Sequence, residues 1–329
     1  MIPFDPLFRN PHLQTIAAHL WGRDGGELRY PPANRLYQTE AGIKVLVQSQ
    51  RPAVRAAGHV VMVHGMEGSG EAGYMRGLSA AGLRAGFAVH RFHMRTCGGT
   101  EHLCGTLYHA GQTSDLLYVL REMEREGKAP AHLVGFSLGG NVVLKLAGEL
   151  GGAAGALIQG VCAASTPLDL AACVRRLAQR QNRIYERRFV RRMRARLCAT
   201  GRYRRADFAG VRSVMDIDER ITAPAFGFGN AANYYRTQSA LQYLERIRVP
   251  TLLICSSDDP MIPIDSYHTE AASRNPSIQQ WITVHGGHLG FLGRRPHRFW
   301  LEEAIMDWIV AHHSRFRSAG QADPRYDPE

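Results

Sequence analysis

Five consecutive residues carry the strongest chemical signal in the chain: Gly135-Phe136-Ser137-Leu138-Gly139. A G-x-S-x-G run suits a serine on a sharp strand-to-helix turn with its hydroxyl exposed, because the flanking glycines let two backbones pass closely. The following helix start would place N–H groups and partial positive charge beside a reacting carbonyl. A serine hydroxyl is a weak nucleophile without a base. The chain has 15 histidines, so position must decide among them. His288 lies in Val284-His285-Gly286-Gly287-His288-Leu289-Gly290-Phe291, just after the last strand-like run, and its two preceding glycines can present it inward. His285 is the competitor. An acid to orient the imidazole is offered by Ser256-Ser257-Asp258-Asp259-Pro260, where either aspartate could serve. Two backbone donors are needed for a developing oxyanion. The N–H of Leu138 supplies one, and His64-Gly65-Met66 points to the N–H of Met66 as the other. Together these groups could transfer an acyl group through a covalent serine intermediate, with no metal or organic cofactor.

Such residues need a scaffold that brings distant turns together. Ile43–Val47, Gly58–Val63, Phe87–Phe92, Ala131–Phe136, Leu157–Ala163, Thr251–Cys255 and Gln280–Val284 read as strands, mostly apolar and bounded by turn residues. Between them Ala72–Ala85, Thr113–Glu126 and Leu138–Leu150 carry helical spacing, as do a stretch ending at Ile247, Ser266–Ser273 and His297–His313. Strands alternating with helices predict an α/β fold with a mostly parallel sheet and helices on both faces. Loops at the carboxyl ends of such strands form the active face, which is where Ser137, Asp259 and His288 fall. The alternation stops between residues 165 and 236, too long a stretch for an ordinary loop and read as a helical lid insertion. Residues 1–164 and 237–313 are then the two parts of one catalytic core, and 314–329 a flexible tail.

Composition excludes other classes. Of the 329 residues 45% are hydrophobic, too many for a disordered chain. No apolar run approaches the ~18 residues that span a bilayer. The net charge of +11 is local: Val174–Arg205 holds 13 arginines and one acid, Glu186, giving +12 and leaving about −1 for the rest. This block reads as a solvated lid whose arginines meet acids elsewhere, or as a contact with an anionic membrane surface through Arg175–Arg205. Nucleic-acid binding is the weakest of the three readings. None of the six cysteines forms a CxxC pair, so zinc and thioredoxin-like chemistry are not expected. The first residues lack a basic stretch followed by an apolar one, and a cytoplasmic location with free thiols, including Cys97 and Cys104, is expected.

Four segments together resemble the YheT-like, ABHD-related branch of the α/β-hydrolases: Asn10–Ile16 (NPHLQTI), His64–Ser69 (HGMEGS), Tyr108–Asp115 (YHAGQTSD) and His285–Phe291 (HGGHLGF). With the serine motif and Asp258-Asp259-Pro260 they span most of the chain. The resemblance implies the order Ser, acid, His, with an acid four positions before a proline. That register selects Asp259 before Pro263. It implies a serine esterase with Ser137, Asp259 and His288 as its triad, Met66 and Leu138 as its oxyanion hole, and a carboxylic ester as small-molecule substrate, lipid-like by analogy with lipase relatives. An acyltransferase on the same fold, or a membrane- or nucleic-acid-binding module on an inactive one, are the alternatives. One departure stands out: Thr96 occupies a position where relatives usually carry glycine. The oligomeric state is not written in the sequence.

Overall fold

Successive residues of His59–Val63 point to opposite faces of one sheet, and both faces are buried. Val61 and Val63 enter one hydrophobic core and Val60 and Met62 the other. The computed structural model describes residues 2–23 and 29–321. Its sheet has eight strands: β1 (Ala33–Glu40), β2 (Ile43–Gln50), β3 (His59–Val63), β4 (Ala88–Phe92), β5 (Ala131–Phe136), β6 (Ile158–Ala164), β7 (Thr251–Ser256) and β8 (Ile278–Thr283). Their spatial order is β1-β2-β4-β3-β5-β6-β7-β8. Pairs from β4 through β8 are parallel, whereas β1–β2 and β2–β4 are antiparallel. After β3 the chain turns to one side for β4 and returns to the other for β5. That reversal opens a crevice at the carboxyl ends of β3 and β5, the place where sheets of this kind bind ligands.

The helices are α1 (Pro11–Leu20), α2 (Gly73–Arg84), α3 (Ser114–Arg125), α4 (Leu138–Leu150), α5 (Leu170–Leu177), α6 (Arg183–Ala199), further short helices, and the C-terminal helix Trp300–Gln321. Met75 and Leu78 of α2 share one core with Trp300 and Trp308 of the C-terminal helix. Leu116 and Leu120 of α3 share the other with Val142 and Val143 of α4. Among the described residues, no helix is long and apolar enough to cross a membrane.

Some expectations need revising. Strand β1 escapes sequence reading because only Tyr37 among its residues is buried, so no alternation marks it. The expected continuous helix up to Ile247 is instead a helix over Ala231–Gln238 and a separate 3-10 segment over Ala240–Arg246. The Ser239 hydroxyl, donating to the Tyr235 carbonyl and accepting from the Leu170 N–H, marks the break. The helix expected at Ser266–Ser273 is two short turns, Ile264–Tyr267 and Glu270–Ser273. The last helix continues past Ser314 to Gln321, and the rest of the expected tail lies outside the described residues.

Candidate active site

Ser137 follows β5 directly and opens α4. Its backbone has φ 51° and ψ −121°, a region that non-glycine residues enter only when surrounding structure holds them there. The packing shows what holds it. A Cβ on Gly135 would lie 2.4 Å from the Gly139 carbonyl oxygen, and one on Gly139 only 2.2 Å from that of Val63. The spaced glycines therefore let the turn close on itself and let β3 press against it. Ser165, immediately after β6, also has positive φ, and its hydroxyl accepts the Leu289 N–H at 3.2 Å.

Three side chains meet at the carboxyl ends of β5, β7 and β8. His288 Nε2 lies 3.0 Å from Ser137 Oγ, and His288 Nδ1 lies 2.9 Å from Asp259 Oδ2. The other carboxylate oxygen of Asp259 accepts the N–H groups of Met261 (2.8 Å) and Ile262 (3.0 Å). Asp259 is thereby fixed in a tight turn and fully removed from water. The competing residues take a different place. Asp258 accepts from the Gly287 N–H and pairs with His285 at 3.2 Å, bracing the loop that carries His288.

Helix α1 also braces that loop. The Thr15 hydroxyl accepts the His288 N–H at 2.9 Å, while fully buried Gln14 both donates to and accepts from the Leu292 backbone. Composition gave no sign of this role; the NPHLQTI segment was the only hint. His64 performs a similar task on the β3 side. Its Nε2 accepts the Met94 N–H, so in the neutral ring Nδ1 carries the proton and donates to the Gly65 carbonyl. Burial pushes its pKa down to about 3, which keeps the ring neutral.

Met66 and Leu138 line the same cavity as Ser137 and His288, with the loop after β3 pressed against the serine turn. The next residue, Glu67, is the centre of a buried cluster. Its carboxylate accepts from Arg196 Nε of α6 at 2.9 and 3.0 Å and from the Tyr108 hydroxyl at 3.0 Å. Tyr108 in turn accepts the Glu67 N–H, and the Arg196 guanidinium lies over the Tyr108 ring. Burial works against the charge on Arg196, but Glu67 and Tyr108 more than offset it and raise its pKa. Arg196 Nη1 also donates to the Thr96 hydroxyl at 2.8 Å. Thr96 has φ 59°, a left-handed conformation that favours glycine; here a hydrogen bond to Arg196 accompanies the strained threonine.

The cavity beside Ser137 measures about 100 Å³, and its walls are mostly apolar, including Leu107, Leu170, Phe189 and Met193. Asp218 also lines it. Burial pushes that carboxyl up to about 6, while the Tyr235 hydroxyl donates to it at 2.7 Å. Helices α5 and α6 roof the cavity. Among the described residues, the arginine block forms one ion pair with an acid, Arg196–Glu67. Arg176, Arg192, Arg194 and Arg202 donate instead to backbone carbonyls.

The comparisons agree with this architecture. A family model described as alpha/beta hydrolase fold matches residues 58–294. "Putative esterase YheT" of Escherichia coli is 33% identical, over 93% of this chain and 92% of its own length. The monoacylglycerol lipase of Saccharomyces cerevisiae is 25% identical, over 79% of this chain and 61% of the yeast protein. Among solved structures, the esterase Pf2001 of Pyrococcus furiosus superposes with a TM-score of 0.59 at 17% identity, covering 88% of this chain and 96% of that one. The chain belongs to the α/β-hydrolase fold family, in the branch that includes YheT.

Proposed function

We propose that this enzyme, a carboxylester hydrolase by family, cleaves its ester through Ser137, His288 and Asp259. The observation that carries this reading is the unbroken hydrogen-bonded row from Ser137 Oγ to the Asp259 carboxylate, set at the wall of an apolar cavity. Ser137 Oγ attacks the ester carbonyl as His288 Nε2 takes its proton, and Asp259 holds the Nδ1–H tautomer. The N–H groups of Met66 and Leu138 stabilise the oxyanion. The C–O bond to the alcohol breaks as His288 protonates the leaving oxygen. His288 then deprotonates a water molecule, whose oxygen attacks the acyl-serine; the acyl–Oγ bond breaks as His288 returns the proton to Ser137 Oγ, and the carboxylic acid leaves.

The apolar walls favour a lipid-like acyl group. Residues 165–236 serve as the lid: α5 and α6 close over the acyl site, and Arg196 ties the lid to the loop bearing Met66. The remaining arginine heads suit electrostatic contact with an anionic membrane. Their apolar neighbours Val190, Met193 and Leu197 face the core, so the exposed apolar side chain that α6 offers such a contact is Ile184, in its first turn.

Fluorophosphonate labelling and hydrolysis of p-nitrophenyl esters from acetyl to palmitoyl test the reading. Wild type should be labelled and active, and Ser137→Ala should lose labelling and at least ~10⁴-fold in kcat. Full activity in a contaminant-free Ser137→Ala preparation would overturn the mechanism.

A further inference from the structure

Helix α1 is turned inside out. Its polar Gln14 is fully buried, while Leu13, Ile16 and Leu20 stand 54%, 38% and 76% exposed. Their spacing of three and four places them on one face. Trp21, just past the helix, is 43% exposed, and Ile184 in the first turn of α6 is 63% exposed. The two helices touch here: His12 stacks on Tyr185 at 5.7 Å, and Arg188 Nη2 lies 2.7 Å from His19 Nε2. Water is a poor neighbour for grouped large apolar side chains, and such patches mark contact surfaces.

The patch leads inward. Ile16, Leu20 and Ile184 line a second cavity, of about 750 Å³, that also reaches Ser137 and His288. Arg23, Arg187, Arg188, Arg191 and Arg192 line it too, together with two acids, Glu67 and Glu71. Glu67 is already held by Arg196, and Arg23 is paired with Glu302. The arginines of α6 therefore crowd one another. Burial, Arg192 and Arg191 lower the pKa of Arg188, and burial with Arg188, Arg192 and Arg23 lowers that of His19. A net positive field, with Glu71 turned toward Arg91 as the other acid, beside an exposed apolar stripe ending in tryptophan is the pattern of a helix lying in a lipid interface.

We infer that α1 and the first turns of α6 form a docking face for an anionic lipid bilayer. Leu13, Leu20, Trp21 and Ile184 enter the acyl boundary, the arginines meet anionic head groups, and the cavity admits an ester lipid to Ser137. Only this last step rests on the serine-hydrolase reading; the docking does not.

The full chain is mixed with vesicles of phosphatidylcholine, with or without phosphatidylglycerol, and followed by co-sedimentation and tryptophan emission. Trp281, Trp300 and Trp308 are at most 9% exposed, so a change on binding reports Trp21. Anionic vesicles should sediment the protein and shift its emission to the blue; Trp21→Phe should abolish the shift, and added salt should weaken binding. Leu13→Ser/Trp21→Ser, or Leu13→Asp alone, should lower vesicle affinity by about tenfold or more. Both variants should hydrolyse a soluble short-chain ester at the wild-type rate, which verifies their folding. Absence of binding to anionic vesicles would overturn the inference, as would equal binding to neutral ones or binding unchanged in both variants. Wild type that binds vesicles but leaves the soluble ester intact would instead sink the proposed chemistry and leave the docking face standing.

Discussion

At the residue scale, Asp259 separates orientation from charge. One carboxylate oxygen is committed to two backbone N–H groups, so the other has a single place to point, at His288 Nδ1. In Asp259→Asn the turn keeps its acceptor, and the amide NH2 faces the imidazole. The ring must then accept at Nδ1 and carry its proton on Nε2, where it cannot take one from Ser137. Steady-state kinetics should show kcat lower by ~10⁴-fold, with little change in melting temperature. A loss below tenfold would mean that Asp259 is not the orienting acid. The adjacent aspartates illustrate what sequence can and cannot tell. Both are legible as candidates, but the fold alone sets Asp258 against His285 and the Gly287 N–H.

At the element scale, α6 and the loop after β3 are tied into one unit. Arg196 of α6 inserts a buried guanidinium between Glu67, Tyr108 and Thr96, and Arg192 donates to the Glu67 carbonyl at 2.6 Å. Glu67 itself sits at φ 54°, next to the proposed donor Met66. In Glu67→Gln the buried Arg196 loses its counter-charge, which should cost about 3–5 kcal/mol in urea unfolding. Glu67→Gln/Arg196→Met should recover part of that stability, giving a non-additive double-mutant cycle. Its kcat should remain low with KM little changed, because the loop has lost its anchor. Additive effects, or normal kcat in the double variant, would show that the cluster is structural only. The pairing was invisible in sequence because the partners are 129 positions apart, and one arginine among 13 carries no mark of its own.

At the scale of the whole molecule, a sheet buried on both faces holds three distant turns together while residues from 167 to 235 wall the cavity beside them. That stretch brings Asp218 into an apolar wall. Its carboxyl titrates at about 6 in the fold, against an ordinary value of 3.8. Between those values the folded protein keeps a proton that the unfolded chain has released. Stability contributed at this site therefore falls as pH rises through the window, and the loss is complete above the folded value. Relative to Asp218→Asn, wild type should lose about 3 kcal/mol between acid and neutral pH in paired urea melts. A difference between the two proteins that does not vary with pH would rule this out.

The sequence by itself determined the class of fold, the serine turn and the neighbourhoods of the histidine and the acid. These are local properties: apolar runs set strands, and glycine spacing sets turns that can close around Ser137. It also located the excess charge in one insertion. The tertiary structure decided which groups face one another. It set His288 rather than His285 toward Ser137, turned Arg196 inward and its neighbours outward, and buried Gln14 while leaving the apolar side of α1 in water. Burial and pairing across a hundred or more positions depend on how elements pack, and no local pattern of residue types encodes them.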